Sequence, residues 1–241
     1  MLTLYQFPIS HYCEKVRWVL EYKNLAYKKV NLLPGLHTRK SKKLASTYTL
    51  PILVDGKKII HESSEIITYL DKSYPDNPVT PTSKEELALS QKWESFADDK
   101  IGADVRSLCY HTLLDHPDLI TPYFTQGGPW YGKLYMKVSY PKLANTMRKL
   151  MKLDDAAIKE INSRLTSNIE KLHQHYQKHE FCVGNRFGRA DIANAALLAP
   201  LCKTRGYGVD WPENFPEPLH STVKEFGNKL DWVYRIYNEY R

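Results

Sequence analysis

The sequence predicts an α/β layer followed by an all-helical bundle, and three observations carry that reading. Strand-like runs occur only before residue 62, three prolines (Pro75, Pro78, Pro81) then punctuate the chain, and every apolar pattern after Ser83 has helical spacing. In the first stretch, Leu2, Leu4 and Gln6 alternate with Thr3 and Tyr5 as a short strand that stops at Pro8. Ser10 precedes a helix whose stripe is Tyr12, Val16, Val19 and Leu20, with Asn24 closing it. Tyr27 to Leu32 reads as a second strand, and Arg39 to Leu44 as a short basic helix after the Pro34-Gly35 break. Pro51 opens a third strand, Asp55-Gly56 is the dipeptide a tight hairpin wants, and Lys58 to His61 is the return strand. A helix from Ser63 to about Tyr74 completes the order β-α-β-α-β-β-α.

Beyond the proline-rich linker the grammar is helical. Ser83 with Glu86 forms a capping box, and Leu89, Trp93, Phe96, Ile101, Val105 and Leu108 continue at helical spacing. Ile158, Ile161, Leu165, Ile169, Leu172 and Tyr176 make a second amphipathic helix. Ala190 to Ala199 is apolar nearly all round, which predicts a buried central helix ended at Pro200. Between these helices, His116-Pro117, Thr121-Pro122, Gly127-Gly128-Pro129 and Tyr140-Pro141 predict broken helices. The aromatic side chains there (Tyr123, Phe124, Trp130, Tyr131, Tyr135, Tyr140) suit either an apolar pocket wall or plain packing.

Composition bounds the function classes. A chain of 241 residues, 42% hydrophobic and 25% charged, is a globular protein of one large or two modest domains. The longest apolar run is too short to span a bilayer, and the start lacks the basic region and apolar core of a signal peptide. No membrane association is therefore expected. Cys13, Cys109, Cys182 and Cys202 have no paired spacing, so reduced thiols and a cytoplasmic location are expected. Residues 1–80 carry 12 basic against 7 acidic side chains, most of the net +7 of the whole chain. That excess favours an anionic small ligand or an acidic surface as partner. The basic residues are not interleaved with aromatics, so no nucleic acid is expected as a partner. His173, His175 and His179 lack a carboxylate or thiol companion and read as a solvated face, so no metal is expected.

Two features can hold a ligand. A backbone segment just before Pro51 can pair with an extended peptide as an added strand. Glu62-Ser63-Ser64 opens the next helix, so free N–H groups and a carboxylate lie side by side. The Glu62-Ser63 pair is also what a plain helix cap requires. Together the two suit a small zwitterionic peptide at the edge of a sheet.

An α/β unit with a strand-opening proline and a Glu-Ser helix start, joined to a helical unit, resembles the soluble glutathione transferase family. The resemblance spans essentially the whole chain and is strongest over residues 1–80 and over Phe181 to Asp191. It implies a thioredoxin-like glutathione-binding domain at 1–80 and an all-helical domain at 83–241 that supplies an electrophile pocket and dimer contacts. It further implies a cis bond before Pro51, glutathione as co-substrate, a homodimer, and a role in detoxification. By the same resemblance, Leu50 exchanges backbone hydrogen bonds with the cysteinyl unit, Glu62 meets the γ-glutamyl ammonium and Ser63 its carboxylate. Lys40, with His37 as a rival, matches the region that meets the glycyl carboxylate.

The chemistry needs glutathione's thiol, with a free pKa of about 8.5, to be a thiolate near neutrality. A hydrogen bond to the anion contributes about 1.5–3 kcal/mol and a helix N-terminus about 0.3–1 more, close to the roughly 3 kcal/mol that two units require. Ser10 sits at such a helix start, in the string Ser10-His11-Tyr12-Cys13-Glu14-Lys15-Val16-Arg17 that looks like the region where serine-type members carry the catalytic hydroxyl. Ser10 also suffices as a simple cap, and His11 stands where many members have proline. Tyr5 is the competing hydroxyl, although the Phe7-Pro8 alignment puts Gln6 at the tyrosine position. Cys13 falls where dithiol glutaredoxins keep their second cysteine, with Ser10 in the place of the first, and reads as a buried helix residue. Asp191, with Gly188 where a Ser or Thr cap is usual, is assigned to folding. The expected activity is thiolate attack on a small apolar electrophile. The rivals are a catalytically silent binding or adaptor protein of the same fold, and a glutathione-dependent peroxidase or thioltransferase.

Overall fold

The computed structural model describes all residues, 1–241. Strand β1 (Leu2–Gln6) buries Leu2, Leu4 and Gln6 and leaves Thr3 and Tyr5 half-buried, the alternation the sequence carries. It pairs in parallel with β2 (Tyr27–Asn31) and antiparallel with β3 (Ile52–Asp55), which pairs antiparallel with β4 (Lys58–His61). The order is β2-β1-β3-β4. Asp55 still pairs with Lys58, so the hairpin turn is Gly56-Lys57, one residue later than expected, with Gly56 at φ +57°. The Asp55 carboxylate is held instead by the Tyr69 and Tyr74 hydroxyls at 2.9 and 2.6 Å. Helices α1 (His11–Tyr22), α2 (His37–Ala45) and α3 (Ser63–Ser73) complete this layer.

The linker is tied down by Lys23, whose ammonium donates to the Asp71 carboxylate and to the carbonyls of Asp76 and Asn77. Then come α4 (Lys84–Ala97), a π-helical turn (Asp98–Gly102) and α5 (Ala103–Leu113) as one continuous rod. Gly102 sits in that turn because the Tyr12 hydroxyl occupies the space a Cβ would need. They are followed by α6 (Pro117–Thr125), α7 (Gly132–Met151), α8 (Asp155–Lys178), α9 (Arg189–Cys202), α10 (Leu219–Phe226) and α11 (Asp231–Tyr240).

Three expectations at prolines are corrected. Thr121-Pro122 breaks nothing, since α6 runs on through Pro122 to Thr125. Tyr140-Pro141 does not break the chain: α7 runs 20 residues straight past it. A proline removes one intrahelical bond and crowds one carbonyl, a cost that packing can offset. Here Met136 and Ala144 are buried on either side, and the Tyr140 hydroxyl anchors the helix to the Leu114 carbonyl at 2.9 Å. Likewise α9 runs through Pro200 to Cys202, every one of its residues buried, and ends where Lys203 turns left-handed at φ +51°. His175 also departs from a solvated face. It is half-buried, with its ring 4.7 Å from that of Trp93.

Helix α9 packs against α1, α4, α5 and α11, and a buried ionic cluster joins the sheet layer to the bundle. The Glu94 carboxylate accepts from Arg189 at 2.8 Å and lies 3.2 Å from Lys15 Nζ, an ion pair without hydrogen-bond alignment. Lys15 also donates to Asp98 at 2.7 and 2.9 Å. Arg189 reaches the Ser64 carbonyl and the Thr68 and Thr80 hydroxyls. At the head of α9, Asp191 accepts from the N–H groups of Cys182 (2.7 Å) and Gly188 (3.0 Å) and from the Tyr176 hydroxyl (2.9 Å). Gly188 has no side chain to complete the box, so Asp191, with Asn194 reaching Cys182 Sγ at 3.6 Å, ties the preceding loop to the helix.

Candidate functional site

A cavity of about 520 Å³ opens between the sheet layer and the bundle. Its polar wall comes from the first layer: Ser10, His11 and Tyr12 at the start of α1, His37 and Thr38 at the start of α2, and Tyr48, Thr49 and Leu50 before β3. The opposite wall is largely apolar, with Val105, Cys109, Tyr110 and Leu113 on α5, Leu143, Met147, Leu150 and Met151 on α7, and Phe124 and Trp211.

Ser10 is the N-cap of α1: it has extended φ/ψ, and its Oγ accepts from the Cys13 N–H at 3.3 Å. That bond uses an oxygen lone pair, so the hydroxyl proton stays free to donate into the cavity. The N–H groups of His11 and Tyr12 precede the first intrahelical bond, which adds the positive end of the helix dipole. Its neighbours offer no competing base. Burial, helped by the nearby Arg106 charge, pushes His11 down to about 3, so its ring is neutral. Burial pushes the Tyr12 hydroxyl up to about 12, and it donates to the Asp98 carbonyl at 2.9 Å. Burial also raises the Cys13 thiol, and pushes that of Cys109 up to about 12, so both stay protonated. Tyr5 does not line the cavity. It lies half-buried on the sheet with Lys40 Nζ 5.3 Å from its ring centre.

The Leu50-Pro51 peptide bond is cis. Leu50 faces the cavity, and neither its N–H nor its C=O takes part in a backbone or side-chain hydrogen bond. Register explains why. The β1–β3 ladder begins at Ile52 opposite Tyr5, and Pro51 has no N–H to extend it. One extended segment can therefore pair there without displacing anything.

Glu62 and Ser63 lie beside this edge rather than in the cavity wall. Glu62 adopts φ +66°, ψ +126°, a strained conformation for a residue with a Cβ, and one that concentrates at ligand-binding positions. Its exposed carboxylate accepts from the Thr49 hydroxyl at 3.2 Å, next door to Leu50. Ser63 is the first residue of α3, buried, with a hydroxyl that makes no hydrogen bond of its own. Of the two candidates for a glycyl carboxylate, His37 lines the cavity and Lys40 does not. His37 Nε2 bonds the Tyr48 carbonyl at 3.1 Å, and burial lowers its pKa. No group of three or more potential metal ligands occurs in the structure, and no helix is long and apolar enough to cross a membrane.

Of the six aromatic residues expected between the long helices, only Phe124 reaches the cavity. Trp130 is 92% exposed. The wall comes instead from α5 and the second half of α7. Arg106, Tyr110, Met147 and Trp211 were not found from sequence. The usable signal was Val105, Arg106, Cys109, Tyr110 and Leu113, a helical face with one cation set in it.

Residues 4–78 match the family described as glutathione S-transferase, N-terminal domain. The sequence likeness to glutathione S-transferases therefore lies in the sheet layer, as a match to their N-terminal domain. Among curated relatives, a glutathione S-transferase from Dianthus caryophyllus is 37% identical over 92 residues, and glutathione S-transferase Z2 of Arabidopsis thaliana is 38% identical over 92. Each match takes in 37% of this chain and 42% and 41%, respectively, of the relative, so the chain spans less than half the length of either. Fold similarity extends further. The β-etherase LigF from Sphingobium superposes with a TM-score of 0.66 at 18% identity, covering 99% of this chain and 98% of that one. At that identity the likeness shows the glutathione transferase fold over the second half, and no more.

Proposed function

We propose that the protein is a glutathione transferase, in which residues 1–80 bind glutathione and residues 83–241 supply the electrophile pocket and dimer contacts. The observation that carries the reading is that a helix-capping hydroxyl with a free proton, Ser10, and an unpaired backbone edge, Leu50, open into one cavity whose far wall is apolar. Glutathione would lie extended along Leu50, its cysteinyl N–H and C=O pairing with that residue's C=O and N–H. Its γ-glutamyl ammonium would meet Glu62, and its α-carboxylate the Ser63 hydroxyl and the α3 N-terminus. The glycyl end would reach His37, with Lys40 behind it.

The thiol would then sit at Ser10. The hydroxyl donates to sulfur as the thiol proton passes to solvent, and the α1 N-terminus adds to the field, together about the 3 kcal/mol that a two-unit drop in pKa needs. The thiolate attacks an electrophilic carbon held against the α5–α7 wall. Either a leaving group departs with its electron pair, or an activated double bond takes the pair and is protonated by solvent. Holding both reactants in one cavity supplies the orientation term. A homodimer and a cytoplasmic setting belong to the same proposal and rest on the family resemblance.

The test has two parts. Calorimetry with glutathione should show one site per chain, and Glu62→Gln should weaken it roughly 3–10-fold in a salt-dependent manner, since an exposed pair is partly screened. Turnover of a generic chlorodinitroaromatic should be glutathione-dependent. Binding without turnover of several electrophile types would replace the enzyme by a silent binding protein. No binding would remove both.

A further inference from the structure

Arg106 is the one formally charged residue lining the cavity; no Asp, Glu or Lys joins it. It is also the one arginine in the molecule that is out of bulk solvent and has no partner. Arg17, Arg148, Arg189, Arg235 and Arg241 are each buried or half-buried, and each holds a carboxylate. Arg106 takes part in no ion pair and no hydrogen bond, and its Nε is buried with nothing to receive it. A guanidinium presents a fork of five donors that matches an oxyanion, and a buried one left unmatched is costly. It stands on the α5 face beside Tyr110, near the neutral His11 ring that follows Ser10, within the apolar half of the cavity.

We propose that the electrophile this cavity accepts carries a carboxylate, or a comparable oxyanion, on an apolar body, and that Arg106 binds that group and thereby selects such substrates. This rests on the transferase reading of the same cavity. Glutathione's own carboxylates are assigned to the other end of the site, at Glu62-Ser63 and His37. The anion at Arg106 therefore belongs to the second substrate. With no acidic residue in the lining, nothing in the protein competes for the cation, and the surrounding apolar wall strengthens the pairing relative to water.

The test compares 4-oxo-4-phenylbut-2-enoic acid with its methyl ester, following loss of the enone absorbance and dividing each kcat/KM by the uncatalysed rate with glutathione. The acid is expected to be favoured at least about tenfold. Arg106→Gln should remove that advantage, Arg106→Lys should keep part of it, and the glutathione Kd should stay within about twofold in both. Equal handling of acid and ester by the wild type, or a weakened glutathione Kd in Arg106→Gln, would overturn the proposal. Should neither compound turn over, the transferase reading is judged by the wider set of electrophiles and the anion site by binding. Quenching of protein fluorescence by the saturated 4-oxo-4-phenylbutanoate, without glutathione, should then show the same tenfold preference over its ester, lost in Arg106→Gln. Equal affinities there would end the idea.

Discussion

Replacing Ser10 by alanine separates the two roles that its position allows. As a cap, Ser10 makes one 3.3 Å bond to the Cys13 N–H, longer than the usual 2.7–3.2 Å range, so its loss should cost only about 0.5–1 kcal/mol of stability. As the donor to a thiolate it is worth more. Losing a hydrogen bond to a charged group, about 1.5–3 kcal/mol, raises the bound thiol's pKa by roughly 1–2 units. If bound glutathione titrates near 6.5 in the wild type, about three quarters of it is thiolate at pH 7. In the variant that fraction falls to roughly 3–25%, so kcat/KM at pH 7 should drop about 3–25-fold and recover above about pH 9. The assay is the ultraviolet absorbance of the thiolate in the binary complex, titrated from pH 5 to 10 in both proteins, with Ser10→Thr as a hydroxyl-bearing control. A variant whose bound thiol titrates within about a third of a unit of wild type, while a melt shows only the cap's cost, would refute Ser10 as the activating group.

Two further outcomes follow from buried charges. Glu94→Ala strips Arg189 of its carboxylate and Lys15 of one of two, in a cluster where the Glu94 side chain is 4% exposed. Breaking such a buried pair costs about 3–5 kcal/mol, seen as a fall in Tm of roughly 6–20 °C, and a change under about 1 kcal/mol would contradict the cluster's structural role. Asp191 lies the other way. Burial outweighs its three donors and pushes the carboxyl up to about 6 from 3.8, so the folded state binds a proton more readily than the unfolded one. Its contribution therefore falls as pH rises from about 4 to about 6, by an amount of order 3 kcal/mol, and is fully present only below about pH 4. Denaturation at pH 4.5 and 7.5 should show wild type gaining on Asp191→Asn at the lower pH. An unchanged difference would mean that the carboxyl is not held protonated.

The features legible in the sequence were those set by local rules. Alternation placed β1, Ser10 and Ser83 marked helix starts by their hydroxyls, and an apolar-all-round segment predicted the central α9. The family resemblance named the cis bond before Pro51. Boundaries at Pro122, Pro141 and Pro200 failed because proline's cost inside a helix is a local property, whereas the packing that offsets it is not. Pro141 and Pro200 sit in helices held by packing from elements far away in sequence.

The sequence by itself determined the α/β-then-helical order, the unpaired backbone edge at Leu50-Pro51 and the hydroxyl at the head of α1, because turn chemistry, capping and periodicity act over a few residues. Only the tertiary structure decided that Ser10, Leu50 and His37 share one cavity while Lys40 and Tyr5 stay outside it. It alone showed that α5 and α7, rather than the aromatic segment, build the far wall, and that Arg106 is the one arginine out of bulk solvent left without a partner. Which side chain faces which depends on how two layers close on each other through α9 and the Lys15–Glu94–Arg189 cluster. That closure is a sum of long-range contacts to which no single stretch of sequence bears a local mark.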